Sequence, residues 1–156
     1  MPKTAAADLA EAYFFEHYNC CQSTLWGIAE ACGLACPRCI PAIALAMGGG
    51  VGHTGRVCGA VTGTAMALGL AVDAAMADRP IGDRKDRANE VAGAFVHRFE
   101  AQFGPASCTA ILGFSWEDTG ALDRYYAENA KTEKCLPRIR WAATEGARLI
   151  AAIRGS

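Results

Sequence analysis

The residues of this chain with the greatest chemical potential are its cysteines, because a thiolate is both a nucleophile and a soft metal ligand. The sequence has eight cysteines among 156 residues. Four of them follow a polar or glycine-containing break, where a helix is predicted to begin: Cys20, Cys58, Cys108 and Cys135. Unpaired N–H groups and the helix dipole favour a thiolate at such positions. The pattern predicts that the four thiols converge on one metal-binding or redox site.

A glycine-rich stretch, residues 47–69, carries Cys58, and eight of its 23 residues are glycine. Its first half is not expected to be helical, because each glycine in a helix costs about 1 kcal/mol relative to alanine. In its second half Gly55, Gly59 and Gly63 recur every four residues. This spacing predicts a helix face with almost no side chains, which another backbone or a cofactor can approach closely.

Two side chains near Cys58 are candidates for assisting its chemistry. Arg56 precedes it by two residues, and its fixed positive charge is expected to lower the pKa of the thiol. His53 has no visible partner and is interpreted as an ordinary surface residue. The segment Gly50-Val-Gly-His-Thr-Gly55 has the G-x-G-x-x-G spacing, but a dinucleotide site needs a parallel sheet that the rest of the chain does not supply.

Four segments of the chain resemble the motifs of one protein family. Cys58-Gly-Ala-Val-Thr-Gly63 matches its C-G-A-x-x-G motif, and Tyr18-Asn-Cys-Cys-Gln22 resembles its Y-N-C-x-Q segment. Phe103-Gly104, Cys108 and Leu112-Gly113 resemble its F-G…C…L-G segment, and Glu133-Lys-Cys135 resembles its E-K-C segment. With these motifs in order across residues 13–153, the chain resembles the C_GCAxxG_C_C family of small redox-active proteins. The resemblance implies four family cysteines: Cys20, Cys58, Cys108 and Cys135.

The predicted function is that of a redox-active protein whose four cysteines gather into one site and bind a metal or an iron–sulfur cluster for electron transfer. Gly59, Gly63 and Arg56 are predicted to contact the cofactor. Two alternatives stay open: a metal-free dithiol/disulfide redox protein, and a helical interaction module whose cysteines only pack. The residues identify neither the metal, if one is bound, nor the electron-transfer partner, nor whether the protein is an oxidoreductase.

The other cysteines lie outside the four family positions. Cys36-Pro-Arg-Cys39 has the C-x-x-C spacing of a dithiol/disulfide couple, yet no β-α-β pattern surrounds it, so structural cysteines are the favoured interpretation. Cys32 lies on the far side of the Gly33 break. Cys21 points about 100° away from Cys20 if both are helical, so the two are not expected to share a ligand position.

Composition and charge exclude several classes of protein. A net charge of −1 gives no electrostatic reason to expect a nucleic-acid partner. The charge-free run at residues 57–72 is 16 residues long, whereas a membrane span needs about 20. The N-terminus has no apolar core of signal-peptide length, so a cytoplasmic location is expected. There, eight cysteines favour metal or redox use over a disulfide framework. A homodimer is left open.

The apolar spacing is helical throughout, and no period-two strand occurs. The chain is therefore predicted to be one all-α domain, residues 1–156, a compact bundle of about five to seven helices around a central glycine-rich loop and a small-residue helix. Thr4 and Asn19 are predicted N-caps, and Ser115-Trp-Glu-Asp118 a capping box. One or two turns are expected at residues 107–112. The predicted helices cover residues 4–17, 20–31, 37–47, 57–76, 83–103, 122–130 and 136–153.

Overall fold

The computed structural model describes residues 4–35 and 39–155, and within them the chain is all-α, as predicted. No β-strand forms in this part of the chain, where Val57 and Ser107 make an isolated antiparallel bridge. A π-helical segment, Lys131–Cys135, runs directly into the last helix. The helices are α1 (Ala6–Phe15), α2 (Cys20–Cys32), α3 (Ile40–Ile43), α4 (Gly59–Ala75), α5 (Ile81–Phe103), α6 (Cys108–Leu112), α7 (Ala121–Ala127) and α8 (Leu136–Gly155).

Helices α2 and α4 form the centre of the bundle, and α1, α5 and α8 pack around them. The small-residue face of α4 makes this possible, because a Cβ on Gly63 would lie 2.6 Å from the carbonyl oxygen of Cys21 in α2. The long stripe on α5 is buried at Val91, Phe95 and Phe99, as its helical spacing predicts. The two central helices are therefore close enough for side chains at their N-terminal ends to share one site.

Several predicted boundaries are wrong for identifiable physical reasons. Ala5, not Thr4, precedes α1, and it makes no side-chain cap. The helix predicted for residues 37–47 is reduced to α3 in the described residues, and turns replace its second half where the glycine loop begins. Ser115 and Asp118 close a hydrogen-bonded turn, while α7 begins later, after Gly120 in a left-handed conformation.

Asn19, in contrast, forms the predicted N-cap, with Gln22 completing a capping box. Ser107 caps α6 in the same way, its hydroxyl accepting from the N–H of Ala110. Both caps directly precede a candidate cysteine. The local sequence therefore makes Cys20 and Cys108 the first residues of their helices.

None of the helices in the described residues is long and apolar enough to cross a membrane. This agrees with the prediction from the length of the charge-free run in α4.

Candidate thiol site

Cys20 is the first residue of α2, and the cap before it ties this helix start to the chain on either side. The Asn19 side chain accepts from the N–H of Gln22 and donates to the carbonyls of Ala44 and Leu45, at 3.0 Å each. The turns after α3 are thereby held against the start of α2. This arrangement brings the glycine-rich loop that follows them next to the Cys20 sulfur.

Cys58 and Cys108 are positioned together by the isolated bridge between the segments that precede α4 and α6. The N–H of Cys58 donates to Ala106 at 2.7 Å, and the N–H of Cys108 donates to Arg56 at 2.6 Å. Ser107 adds a bond from its hydroxyl to the Gly55 carbonyl. These bonds fix two helix starts side by side, although the cysteines are far apart in sequence.

Cys135 departs from the predicted pattern, because it does not begin a free helix. It ends the π-helical segment, and the backbone continues into α8 without a break. The N–H groups around it are therefore already used inside the helix, and three helix N-termini rather than four meet near the site. Tyr125 supplies a different partner, its hydroxyl facing the Cys135 sulfur at 3.9 Å.

Cys20 interacts electrostatically with each of the other three family thiols. Its charge raises the pKa of Cys58, of Cys108 and of Cys135, and for each it is the largest contribution from any charged group. Cys20 also lies against α4, since a Cβ on Gly59 would be 2.2 Å from its sulfur. Cys20, Cys108 and Cys135 line one cavity of about 370 Å³, whereas Cys58 lies buried behind them, 8% exposed.

The expectation that helix starts make these cysteines thiolates is wrong in its net direction. Burial raises the pKa of Cys20 and is its largest influence, although backbone N–H groups of Gly49 and Gly59 donate to its sulfur and lower it. Burial likewise raises the pKa of Cys58 and Cys108, and that of Cys135 to about 12. For each of these thiols, desolvation of the anion outweighs the effect of a helix terminus.

The predicted helper residues have different roles from those expected. The Arg56 side chain is exposed and lines a separate groove with Glu100 and Thr109. Its backbone supports the site, because its carbonyl accepts from the N–H of Cys108. Gly59 and Gly63 accommodate α2, as the close-approach prediction requires. Gly55 does not belong to that helix face, because it lies in the loop with φ +73°. Cofactor contact by Arg56, Gly59 or Gly63 stays a prediction.

The fit of a metal ion can be judged from the donors and from their positions. Four thiols are a suitable donor set for a soft metal or an iron–sulfur cluster. Their placement does not match this chemistry: among the described residues, no three Cys, His, Asp or Glu side chains are arranged to hold a metal ion. Metal binding by Cys20, Cys58, Cys108 and Cys135 therefore stays a prediction.

The glycine-rich loop closes one side of the cavity in an unusual conformation. Residues 49–53 all have positive φ, and two of them, Val51 and His53, are not glycine. A left-handed conformation costs such residues roughly 1–2 kcal/mol each, and strain of this kind is concentrated at functional sites. Bonds from the N–H groups of Gly55 and Arg56 back to residues 49 and 50, both 3.0 Å, hold the turn.

His53 is exposed, as the surface interpretation predicts, and the loop also places it in the lining of the cavity. A Cβ on Gly49 would lie 2.0 Å from the His53 ring, so this position needs glycine for the ring to fold back. The ring then packs against Trp116, with centroids 4.7 Å apart. Trp116 also faces Cys108 and lowers the pKa of that thiol, yet the contact falls short of a full hydrogen bond and leaves its buried Nε1 unpaired.

The helical spacing of the Trp and Phe residues predicts that they serve packing only. Trp116 and Tyr125 in fact line the cavity beside Cys108 and Cys135. A signal was present, since both rings fall in the segment between these two cysteines. Residues 36–38 lie outside the described residues, so the prediction made for the pair Cys36 and Cys39 is untested.

Comparison with protein families decides the relationship of the chain. The sequence model of a family described as "Putative redox-active protein (C_GCAxxG_C_C)" matches residues 18–148. The chain belongs to the C_GCAxxG_C_C family. A search of curated proteins and a search of solved structures find no match. The four cysteines of the C_GCAxxG_C_C motifs interact electrostatically in this fold, and Cys20 also raises the pKa of its neighbour Cys21. Membership supports the redox character that the family description names and nothing finer.

Proposed function

We propose that the protein is redox-active through one thiol site made of its four family cysteines, with Cys20 as the thiol common to every exchange. The observation that carries the proposal is the position of Cys20. It influences the pKa of all three other thiols and also faces a cavity that reaches the surface. A central thiol with several neighbours can form a disulfide with one of them and pass it on by thiol–disulfide exchange.

Disulfide formation between two of these thiols needs an external electron acceptor. Two thiols lose two electrons and two protons as one S–S bond forms, and the acceptor takes up both. Because burial raises the thiol pKa values, the reduced form is protonated at neutral pH. Burial raises the pKa of Cys20, but N–H donors from Gly49 and Gly59 stabilise its anion once the proton leaves.

Thiol counting in two matched variants tests this function. Protein purified anaerobically is treated with a small thiol oxidant, and its titratable thiols are counted under denaturing conditions before and after reduction. We expect Cys20→Ser to lose the two thiols that the unmodified chain regains, while Cys21→Ser keeps them. Cys21 is a strict control because it is adjacent, buried and outside the family four. Any contribution from Cys36 and Cys39 is common to both variants. Equal recovery in all three proteins contradicts the assignment.

Binding of an iron–sulfur cluster or another thiolate-bound metal is the second candidate. It is favoured by the backbone N–H groups directed at Cys20, because such donors stabilise anionic sulfur. Cys20, Cys58, Cys108 and Cys135 would hold the group, after losing protons and moving into ligand geometry. Metal analysis and a visible spectrum of the same anaerobic sample decide between the two. Stoichiometric metal that Cys20→Ser abolishes supports this candidate, and metal-free protein with a reversible couple supports the first. If neither a metal nor a reversible couple is found, a helical interaction module is supported instead.

A further inference from the structure

The cavity at the thiol site is walled by flat rings. Its lining includes Phe14, Tyr18, Trp116, Tyr125 and Tyr126, together with three thiols. Trp116 packs against Tyr125 with centroids 5.1 Å apart, so the two rings support each other as one wall. A volume of about 370 Å³ lies in the range of small-molecule sites. Aromatic walls of this kind favour a flat, aromatic ligand, which can stack against them.

The charge of the cavity lining has one sign. No Asp or Glu is among the described residues that line it, whereas Lys131, His17 and His53 are. The Lys131 ammonium lies over the rings of Phe14 and Phe15, 4.8 and 5.3 Å from their centroids. No described carboxylate pairs with it. By contrast, the nearby Lys134 is neutralised by Glu128 at 2.5 Å. An unneutralised cation at the edge of an aromatic cavity favours an anionic substituent on the ligand.

We propose that this cavity binds a small aromatic quinone bearing an anionic group, and that this quinone accepts the electrons of the thiols. The proposal rests on the thiol couple described above. Two thiols become one disulfide, releasing two electrons and two protons, and the quinone takes up both pairs to become a hydroquinone. The flat quinone ring matches the aromatic walls, and its anionic substituent matches Lys131. Its two-electron capacity matches the two electrons that a pair of thiols releases.

Binding is tested first with a redox-inert probe, naphthalene sulfonate, measured by calorimetry. We expect it to bind the reduced protein, and the neutral isostere naphthalene sulfonamide to bind about tenfold more weakly, because a charge-assisted contact is lost. Lys131→Met should remove this preference while keeping the apolar stem over Phe14. Lys85→Met, at an exposed lysine of α5, is the matched control and should leave both affinities unchanged. No binding, or equal binding of the two probes, overturns the proposal.

Electron transfer is tested next with naphthoquinone sulfonate. We expect two thiols to disappear for each quinone reduced, naphthalene sulfonate to inhibit the reaction, and Lys131→Met to slow it about tenfold. Insensitivity to both inhibitor and variant shows reaction outside the cavity and overturns this step. Failure of quinone binding can be distinguished from failure of the proposed thiol–disulfide couple. A couple seen with the small oxidant but no sulfonate binding refutes the cavity assignment alone, whereas sulfonate binding without any couple refutes the redox function.

Discussion

Replacing Gly59 by alanine is expected to destabilise the fold, although alanine is normally the better helix residue. A Cβ at this position would lie 2.2 Å from the Cys20 sulfur and 2.6 Å from the backbone nitrogen of Cys21. The second contact is with backbone, so a side-chain rotation cannot relieve it. Helix α2 must therefore move away from α4 for the variant to fold.

The magnitude follows from two opposing effects. Overpacking of this kind costs about 1–3 kcal/mol, and the helix propensity of alanine returns up to about 1 kcal/mol. A net loss of about 1–2 kcal/mol is therefore expected for Gly59→Ala. Gly69→Ala is the matched control, because Gly69 lies in the same helix and an added Cβ meets nothing within 4 Å. There the substitution should stabilise by about 0.5–1 kcal/mol.

Urea and thermal unfolding of the reduced proteins measure the difference. The two variants should be separated by about 1.5–3 kcal/mol, which for a chain of this size is roughly 3–12 °C in Tm. Gly59→Ala should also change the rate at which Cys20 is alkylated, since the N–H of Gly59 donates to that sulfur, while Gly69→Ala should not. If the two variants prove equally stable, the close packing of α2 on α4 is incorrect and the thiol site loses its frame.

Two further predictions concern the thiols and the cap. Burial raises the pKa of Cys21 to about 11 and that of Cys135 to about 12, from 9.0. Above about pH 9 the native state therefore holds protons that the unfolded state releases. The free energy of unfolding should then fall by about 1.4 kcal/mol per pH unit for each such thiol. Urea titrations from pH 7 to pH 10 check this, and Cys135→Ser should give a shallower decline; an unchanged slope would show that this thiol is not desolvated. Asn19→Ala should cost about 2–3 kcal/mol, since it removes an N-cap and two bonds to backbone carbonyls. Asn89→Ala, exposed on α5, should change stability by less than about 0.5 kcal/mol, and a similar loss in both variants would refute the role of the cap.

The sequence by itself determined the all-α class, the starts of the helices that carry Cys20 and Cys108, and the close approach at Gly59 and Gly63. These features depend on local chemistry. An asparagine or serine before a helix satisfies N–H groups within three residues, and a row of glycines is visible as a four-residue repeat. The family motifs likewise identified the four cysteines without any knowledge of their distances.

The tertiary structure alone decided the protonation of the thiols and the nature of their surroundings. Burial depends on which helices pack over a residue, so the raised pKa of Cys58 could not be inferred from its helix start. The continuation of the backbone through Cys135 into α8 removed a terminus that the local pattern predicted. His53 and Trp116 meet across 63 residues of sequence, and only the strained left-handed loop brings the histidine there. The cavity at this site is therefore formed by contacts between residues that are distant in sequence, and no local spacing encodes such contacts.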